Sequence, residues 1–255
     1  MTDFGLVSII SPTYNCGHFI SETINSVLSQ SYENWEMIII DDNSSDNTPD
    51  IVKQYTDNRI RYFRNETNEG AALSRNKALK ESHGRWIAFL DCDDMWLPDK
   101  LKRQLGFMVA NNYHFSYHSY SEVAENGSPL EKVVSGKKRV TNFDMHSCCW
   151  PGCLTVMYDS DFIGPIQIKD IKKNNDTALW LKVIKKSDCF FLDENLAKYR
   201  RRNGSTTPSN IFSRIWWHYC LFHYAEEKNW LVSLFWMCAN IAGNSFKKIF
   251  YIQKG

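Results

Sequence analysis

Trp86-Ile87-Ala88-Phe89-Leu90-Asp91-Cys92-Asp93-Asp94 joins an apolar run directly to three carboxylates. A short apolar run ending in acids reads as a buried strand of a parallel sheet, emerging at the C-terminal edge where open α/β sheets bind ligands. The chain uses the same device upstream, where Met37-Ile38-Ile39-Ile40 runs into Asp41-Asp42-Asn43-Ser44-Ser45-Asp46. Two such edges imply one acidic crevice. Carboxylates as crowded as Asp91, Asp93 and Asp94 repel one another unless a cation or hydrogen-bond donors offset their charge, and hard oxygen ligands suit Mg²⁺ or Mn²⁺. A divalent ion held by few protein ligands still binds phosphate oxygens, which points to a nucleotide or another phosphorylated substrate. Asp42 and Asp46 have a second reading as caps of the helix that follows.

Outward from these edges, apolar strand, polar loop and amphipathic helix alternate as far as about Tyr120. The pattern predicts strands over Leu6–Ile10, Trp35–Ile40, Ile60–Arg64, Trp86–Leu90 and Phe115–Tyr120. Helices are expected over Ser21–Gln30, Thr48–Tyr55, Ala71–Ser82 and Pro98–Asn111. Repeated βα units with short connections give an α/β fold with a mostly parallel, doubly wound sheet flanked by helices. After Ser121 the rhythm breaks, and the turn Glu125-Asn126-Gly127-Ser128-Pro129 suits a hairpin or excursion. Further on, Leu154–Tyr158 reads as a strand and Thr177–Lys186 as a helix. Cys189–Leu192 and Leu196–Arg200 read as short strands around an Asp193-Glu194-Asn195 turn.

At 255 residues the chain is most economically one α/β domain, residues 1–210, with a C-terminal helical appendage over 211–255. A net charge of +1 gives no bulk attraction for nucleic acid. The first residues lack a basic segment followed by a long apolar one, so the expected location is the cytoplasm. Scattered spacing of the 8 cysteines speaks for reduced, mostly buried thiols and against a zinc site.

From Ile211 aromatics crowd together, and Trp230–Gly243 is nearly continuous apolar sequence. That run is too short to span a bilayer, which needs about 20 residues. Ser233, Asn240, Asn244 and Lys247 recur at helical spacing as one narrow polar stripe, so the opposite arc must be buried somewhere. It docks on its own domain, on a second subunit in a homodimer, or on a membrane surface, where Lys247 and Lys248 would meet anionic headgroups.

The ordered set Ser11-Pro12-Thr13-Tyr14-Asn15, Asp41-Asp42-Asn43-Ser44-Ser45-Asp46, Asn68-Glu69-Gly70 with Ser74-Arg75-Asn76, and Asp91-Cys92-Asp93-Asp94 resembles the family-2 inverting glycosyltransferases of GT-A fold, over about Val7 to Thr206. The resemblance implies that Pro12 and Tyr14 line the base pocket of a UDP-sugar donor and that Asp42 accepts from uracil. It makes Asp93 the ligand of Mn²⁺ or Mg²⁺, Asp91 a contact to ribose or metal, and Arg75 a holder of the base or the diphosphate. Asn174-Asn175-Asp176-Thr177-Ala178-Leu179-Trp180 is similar to the family's Glu-Asp-x-x-Leu-Trp segment. Asp176 falls on the general base, and Asn175 stands where the family usually has Glu. Tyr199-Arg200-Arg201-Arg202-Asn203-Gly204-Ser205-Thr206 resembles the mobile loop that closes over the diphosphate, with Arg202 in place of a common His. An arginine there can pair with phosphate but cannot ligate metal. Trp150, with Pro151 and Gly152, is the candidate acceptor wall.

The implied reaction is inverting transfer from a UDP-sugar to a saccharide hydroxyl, with a lipid-linked intermediate of O-antigen or capsule assembly as the natural acceptor. A sugar-phosphate nucleotidyltransferase would need a Gly-rich, Arg-containing loop after the first strand, where this chain has Thr13-Tyr14-Asn15-Cys16-Gly17-His18. A non-catalytic nucleotide-sugar-binding module would have no need of Asp176 together with the acids at 91–94. The identities of the donor sugar and of the acceptor are not fixed by these residues.

Overall fold

A computed structural model describes residues 3–202 and 210–254, so the Asn203–Thr206 part of the expected loop lies outside the described residues. The chain opens with β1 (Val7–Thr13), α1 (Ile20–Leu28), β2 (Trp35–Asp41), α2 (Thr48–Val52), β3 (Ile60–Arg64), α3 (Ala71–Lys80) and β4 (Trp86–Phe89). Every residue of β1, β2 and β4 is buried, as strands covered on both faces must be. Alternation divides their side chains between two layers. Ile10, Ile38, Ile40 and Phe89 meet Ala72 and Ala78 of α3 on one face, whereas Ile9, Met37, Ile39 and Ala88 meet Ile20, Ile24 and Val27 of α1 on the other. Each fully buried isoleucine of this kind contributes about 1.5–3 kcal/mol.

The middle of the chain supplies β5 (Met95–Trp96), α4 (Lys100–Asn111), β6 (Phe115–Val123), β7 (Pro129–Val134), β8 (Arg139–Val140) and α5 (Asn142–Ser147). β6 and β7 form the expected hairpin, with Gly127 at φ +83 in its turn. A 3₁₀ turn (Cys153–Thr155), β9 (Met157–Asp159), α6 (Ser160–Ile163), α7 (Asn175–Val183) and β10 (Cys189–Arg200) follow. The expected strand at Leu154–Tyr158 thus begins only at Met157, because residues 153–155 wind into that turn.

Among the described residues the main sheet path runs β11-β7-β6-β9-β4-β1-β2-β3, where β11 is Ile252–Lys254. Pairing is parallel from β3 to β4 and antiparallel through β9 to β7, so the parallel expectation holds for the first half of the sheet. The two short strands expected around Asp193-Glu194-Asn195 are one strand, β10, parallel to β6. Register shifts between Leu192 and Lys198 absorb the polar residues without ending the ladder. β10 also pairs antiparallel with β5, which brings its C-terminal end beside the Asp91–Asp94 loop.

α8 (Ile211–Cys220) continues through a π-helical turn (Leu221–Ala225) and is followed by α9 (Trp230–Phe250). Leu221, Phe222 and Ala225 join the core under the β1–β4 sheet and α7, and β11 pairs with β7. The polar stripe of α9 points inward: Ser233 is 0% and Asn240 1% exposed, while Trp230, Leu231, Phe235, Phe246, Ile249 and Phe250 are exposed. Lys247, expected to meet headgroups, turns into the protein and donates to Cys149 O and Trp150 O at 3.0 and 2.5 Å. No helix among the described residues is long and apolar enough to cross a membrane.

Candidate active site

The loops after β1, β2 and β4 meet the end of β10 and the start of α7 around one crevice of about 750 Å³. Pro12, Tyr14, Asp42, Arg75, Asp91, Asp93, Asp176 and Arg202 all line it. Asparagines turn the loops at its rim, since Asn15, Asn43 and Asn174 sit at φ 49, 64 and 56, a region Asn tolerates better than most residues.

On the β1–β2 side the adjacent acids divide the work. Asp41 is fully buried and accepts from Ser44 N at 2.8 Å and Tyr62 Oη at 2.6 Å, which fixes the loop. Asp42 accepts from Asn65 Nδ2 and Glu69 N through one oxygen and from Gly70 N through the other, at 2.7–2.9 Å. It therefore locks the Gly70 entry to α3 while facing the crevice. Asp46 takes the capping role: it accepts from Thr48 N and Oγ1 at the start of α2, and from Gly17 N. Tyr14 is half exposed and free to meet a ring.

Arg75 is the centre of the opposite side. Its guanidinium donates to Asp91 Oδ1 through one nitrogen and to Asn175 Oδ1 through the other, tying the carboxylate loop to α7. Burial alone would lower its pKa, but the nearby Asp91 and Asp176 carboxylates more than offset this and raise it. Arg202 Nε pairs with Asp93 Oδ2 at 2.8 Å. Burial, and then the charge of Asp91, push the Asp93 carboxyl up despite that arginine. Asp94 turns inward, 1% exposed, and accepts from Arg200 N at 2.9 Å; burial pushes it up most, with its neighbouring acids adding.

This loop gains from added positive charge, and Asp91 and Asp93 offer the hard oxygens that Mg²⁺ or Mn²⁺ prefer. Among the described residues no group of three or more His, Cys, Asp or Glu could hold a metal ion, so a dication there would complete its shell with water and phosphate oxygens. The residues present fit such an ion, which Asp91 and Asp93 would hold.

Asp176 lies in the first turn of α7, where its Oδ1 accepts from Thr177 N at 2.7 Å. Trp150 does not line the crevice. It is 7% exposed and packs edge-on against Tyr251 at 4.9 Å, and Gly152 and Cys153 form that wall in its place. The expectation of reduced thiols also needs correction. Cys16 and Cys92 form a disulfide, because the loop after β1 folds back onto the Asp91–Asp94 loop and brings their Cα atoms to 6.3 Å. Six cysteines are free. Burial pushes the Cys149 thiol up to about 12 and Cys153 well above its usual value, which keeps both protonated.

One residue assigned only to the closing loop has a larger structural part. Arg200, 3% exposed, bonds Asp94 through its backbone N–H and Asp93 O, Glu125 O and Glu22 Oε2 through its side chain. Its position at the end of β10 is the signal that separates it from Arg201 and Arg202, which follow the strand and pair with Glu122 and Asp93.

The glycosyl transferase family 2 profile matches residues 8–159. The putative teichuronic acid biosynthesis glycosyltransferase TuaG of Bacillus subtilis is 41% identical over 95% of this chain and 97% of its own. The Escherichia coli protein WfgD, named a UDP-Glc:α-D-GlcNAc-diphosphoundecaprenol β-1,3-glucosyltransferase, is 42% identical over 84% of each chain. Among solved structures, Staphylococcus aureus TarS in complex with UDP-GlcNAc superposes with a TM-score of 0.70 at 22% identity, covering 89% of this chain and 69% of that one, which shows the shared GT-A fold. With the ordered motifs on one crevice and relatives matching along nearly the whole chain, this protein belongs to glycosyl transferase family 2.

Proposed function

We propose that the protein is an inverting, metal-dependent glycosyltransferase that moves a hexosyl or N-acetylhexosaminyl group from a UDP-sugar to a hydroxyl of a lipid-linked saccharide. The observation that carries this reading is Arg75, which joins Asp91 to Asn175 and so ties the carboxylate loop to the start of α7, with Asp176 lining the same crevice. The acceptor oxygen attacks the anomeric carbon from the side opposite UDP, its proton passes to Asp176, and UDP departs with the electron pair of the broken bond. When bound at Asp91 and Asp93, a divalent ion offsets the charge that grows on the diphosphate. Pro12, Tyr14 and Asp42 hold the base, and Arg202 exchanges Asp93 for a phosphate oxygen.

The activity for which WfgD is named supports a UDP-hexose donor and a diphospholipid acceptor, and the name of TuaG, a glycosyltransferase of teichuronic acid biosynthesis, is in keeping with this reading. The 1–210 unit carries catalysis, and the 211–255 segment meets the cytoplasmic face of a membrane. α8 and α9 contain no acidic residue, so a second copy seated on the same face would oppose like charges, whereas an anionic bilayer complements Arg214 and Lys248. The test is a UDP-sugar panel with a GlcNAc-diphospholipid acceptor, the product read by NMR. An α-linked donor should give a β-linked product; retention of configuration would remove the mechanism.

A further inference from the structure

α9 directs its polar contacts at one short stretch of chain. Asn240 Nδ2 donates to His146 O at 2.9 Å, Cys148 Sγ lies 3.5 Å from Asn244 Oδ1, and Lys247 reaches Cys149 O and Trp150 O. Gly243 lies on the same face, where a Cβ would come within 2.0 Å of Ser147 O, so the helix backbone rides directly on that segment. Residues 148–152 belong to no helix or strand. Buried carbonyls in such a segment need partners from elsewhere, and α9 provides them.

This stretch leads into the crevice by two routes. Its continuation, Gly152 and Cys153, lines the wall, with Cys153 Sγ 3.6 Å from Arg75 Nη2. Its Cys149 Sγ lies 3.3 Å from Thr177 Oγ1, and Thr177 donates its backbone N–H to Asp176. Asp176, the proposed base, marks where an acceptor hydroxyl must approach, whereas Pro12, Tyr14 and Asp42, proposed to hold the nucleobase, lie on the loops after β1 and β2.

We infer that Lys247 is a positioning residue for the acceptor, fixing the Cys149–Cys153 wall and the Asp176 turn from a helix whose opposite, apolar face is the one that meets the bilayer. The inference rests on the glycosyltransferase reading and adds that the two faces of α9 act on the same substrate. One face meets the lipid that carries the acceptor; the other shapes the wall the acceptor's sugar touches. The ammonium acts through two backbone carbonyls rather than on the reacting atoms, so its loss should fall on acceptor use and not on the nucleotide.

The experiment compares wild type, Lys247→Met and Lys247→Arg by UDP calorimetry, UDP-sugar hydrolysis by water, and transfer to a GlcNAc-diphospholipid. Lys247→Met should lower kcat/KM for the acceptor by about tenfold or more while UDP affinity and hydrolysis stay within about twofold, and Lys247→Arg should recover most of the loss. Unchanged transfer by Lys247→Met, or parallel loss of UDP binding and hydrolysis, would overturn the positioning role. Should the Met variant not fold, amide hydrogen exchange on wild type decides. Anionic phosphatidylglycerol vesicles should slow exchange over residues 147–153 and leave 41–46 unchanged, and no protection at 147–153 counts against the inference. A wild-type protein that neither binds UDP nor hydrolyses any UDP-sugar would instead defeat the underlying function.

Discussion

The crevice and the C-terminal helix both direct polar groups inward, with opposite consequences at their surfaces. At the crevice, Asp91 and Asp93 are held by Arg75 and Arg202, and the open side remains polar. On α9 the inward stripe satisfies a neighbouring segment, and the outward side is aromatic and aliphatic, with Phe235 60% and Phe250 62% exposed. The first surface can receive charge; the second presents apolar side chains to solvent. Contiguous exposed apolar surface of this kind marks an interaction site. The difference teaches that a polar stripe on a helix identifies a two-faced element but not which face is the inner one.

If the two surfaces do separate work, each should be damaged without the other. The largest effect is expected from Asp176→Asn, which should cut transfer by about 10²–10⁴-fold while leaving UDP calorimetry and vesicle co-sedimentation unchanged. Retained transfer would move the base elsewhere. Arg75→Ala leaves Asp91 without its buried partner and should lower stability by about 3–5 kcal/mol, read as a shifted urea midpoint at constant m-value. A shift below about 1 kcal/mol would show that the two walls hold together without it. Asp42→Ala should weaken UDP binding by about 1–3 kcal/mol and narrow its preference over GDP. Equal affinity of wild type for both nucleotides would remove Asp42 from base selection. The smallest effect belongs to the other surface: Lys248→Gln should reduce partition onto anionic vesicles on the order of fivefold and leave transfer to a soluble acceptor untouched. If the protein ignores vesicles and runs as a dimer on sizing, the apolar face belongs to a second copy.

Much of the first half was legible because its strands carry their own signal. Ile38, Ile39 and Ile40 can be nothing but interior in a sheet covered on both faces, and the acids that follow mark where it ends. Local pattern was weaker where tertiary pairing decides. β10 reads as two strands because Asp193-Glu194 look like a turn, and only its bulged ladder with β6 shows one element. Trp150 reads as part of an acceptor wall, yet Tyr251, about a hundred residues away, packs against it and it is buried. Lys247 looked like a headgroup contact because a helical wheel contains no backbone carbonyls. The Cys16–Cys92 pair had no local signature, since it depends on two loops that meet only when β1 and β4 lie side by side.

Arg200 carries a consequence for how the molecule comes into being. Its bond to Asp94 spans 106 residues of chain and its bond to Glu22 spans 178. Contacts of such separation form late, after the entropy of closing the intervening loops has been lost. During synthesis the carboxylate loop emerges well before the strand that anchors it, so a nascent chain can build the β1–β4 half but not the finished site. A fragment ending before residue 200 therefore keeps the motifs of the carboxylate loop but lacks the bonds by which Arg200 ties Asp93 and Asp94 to Glu22.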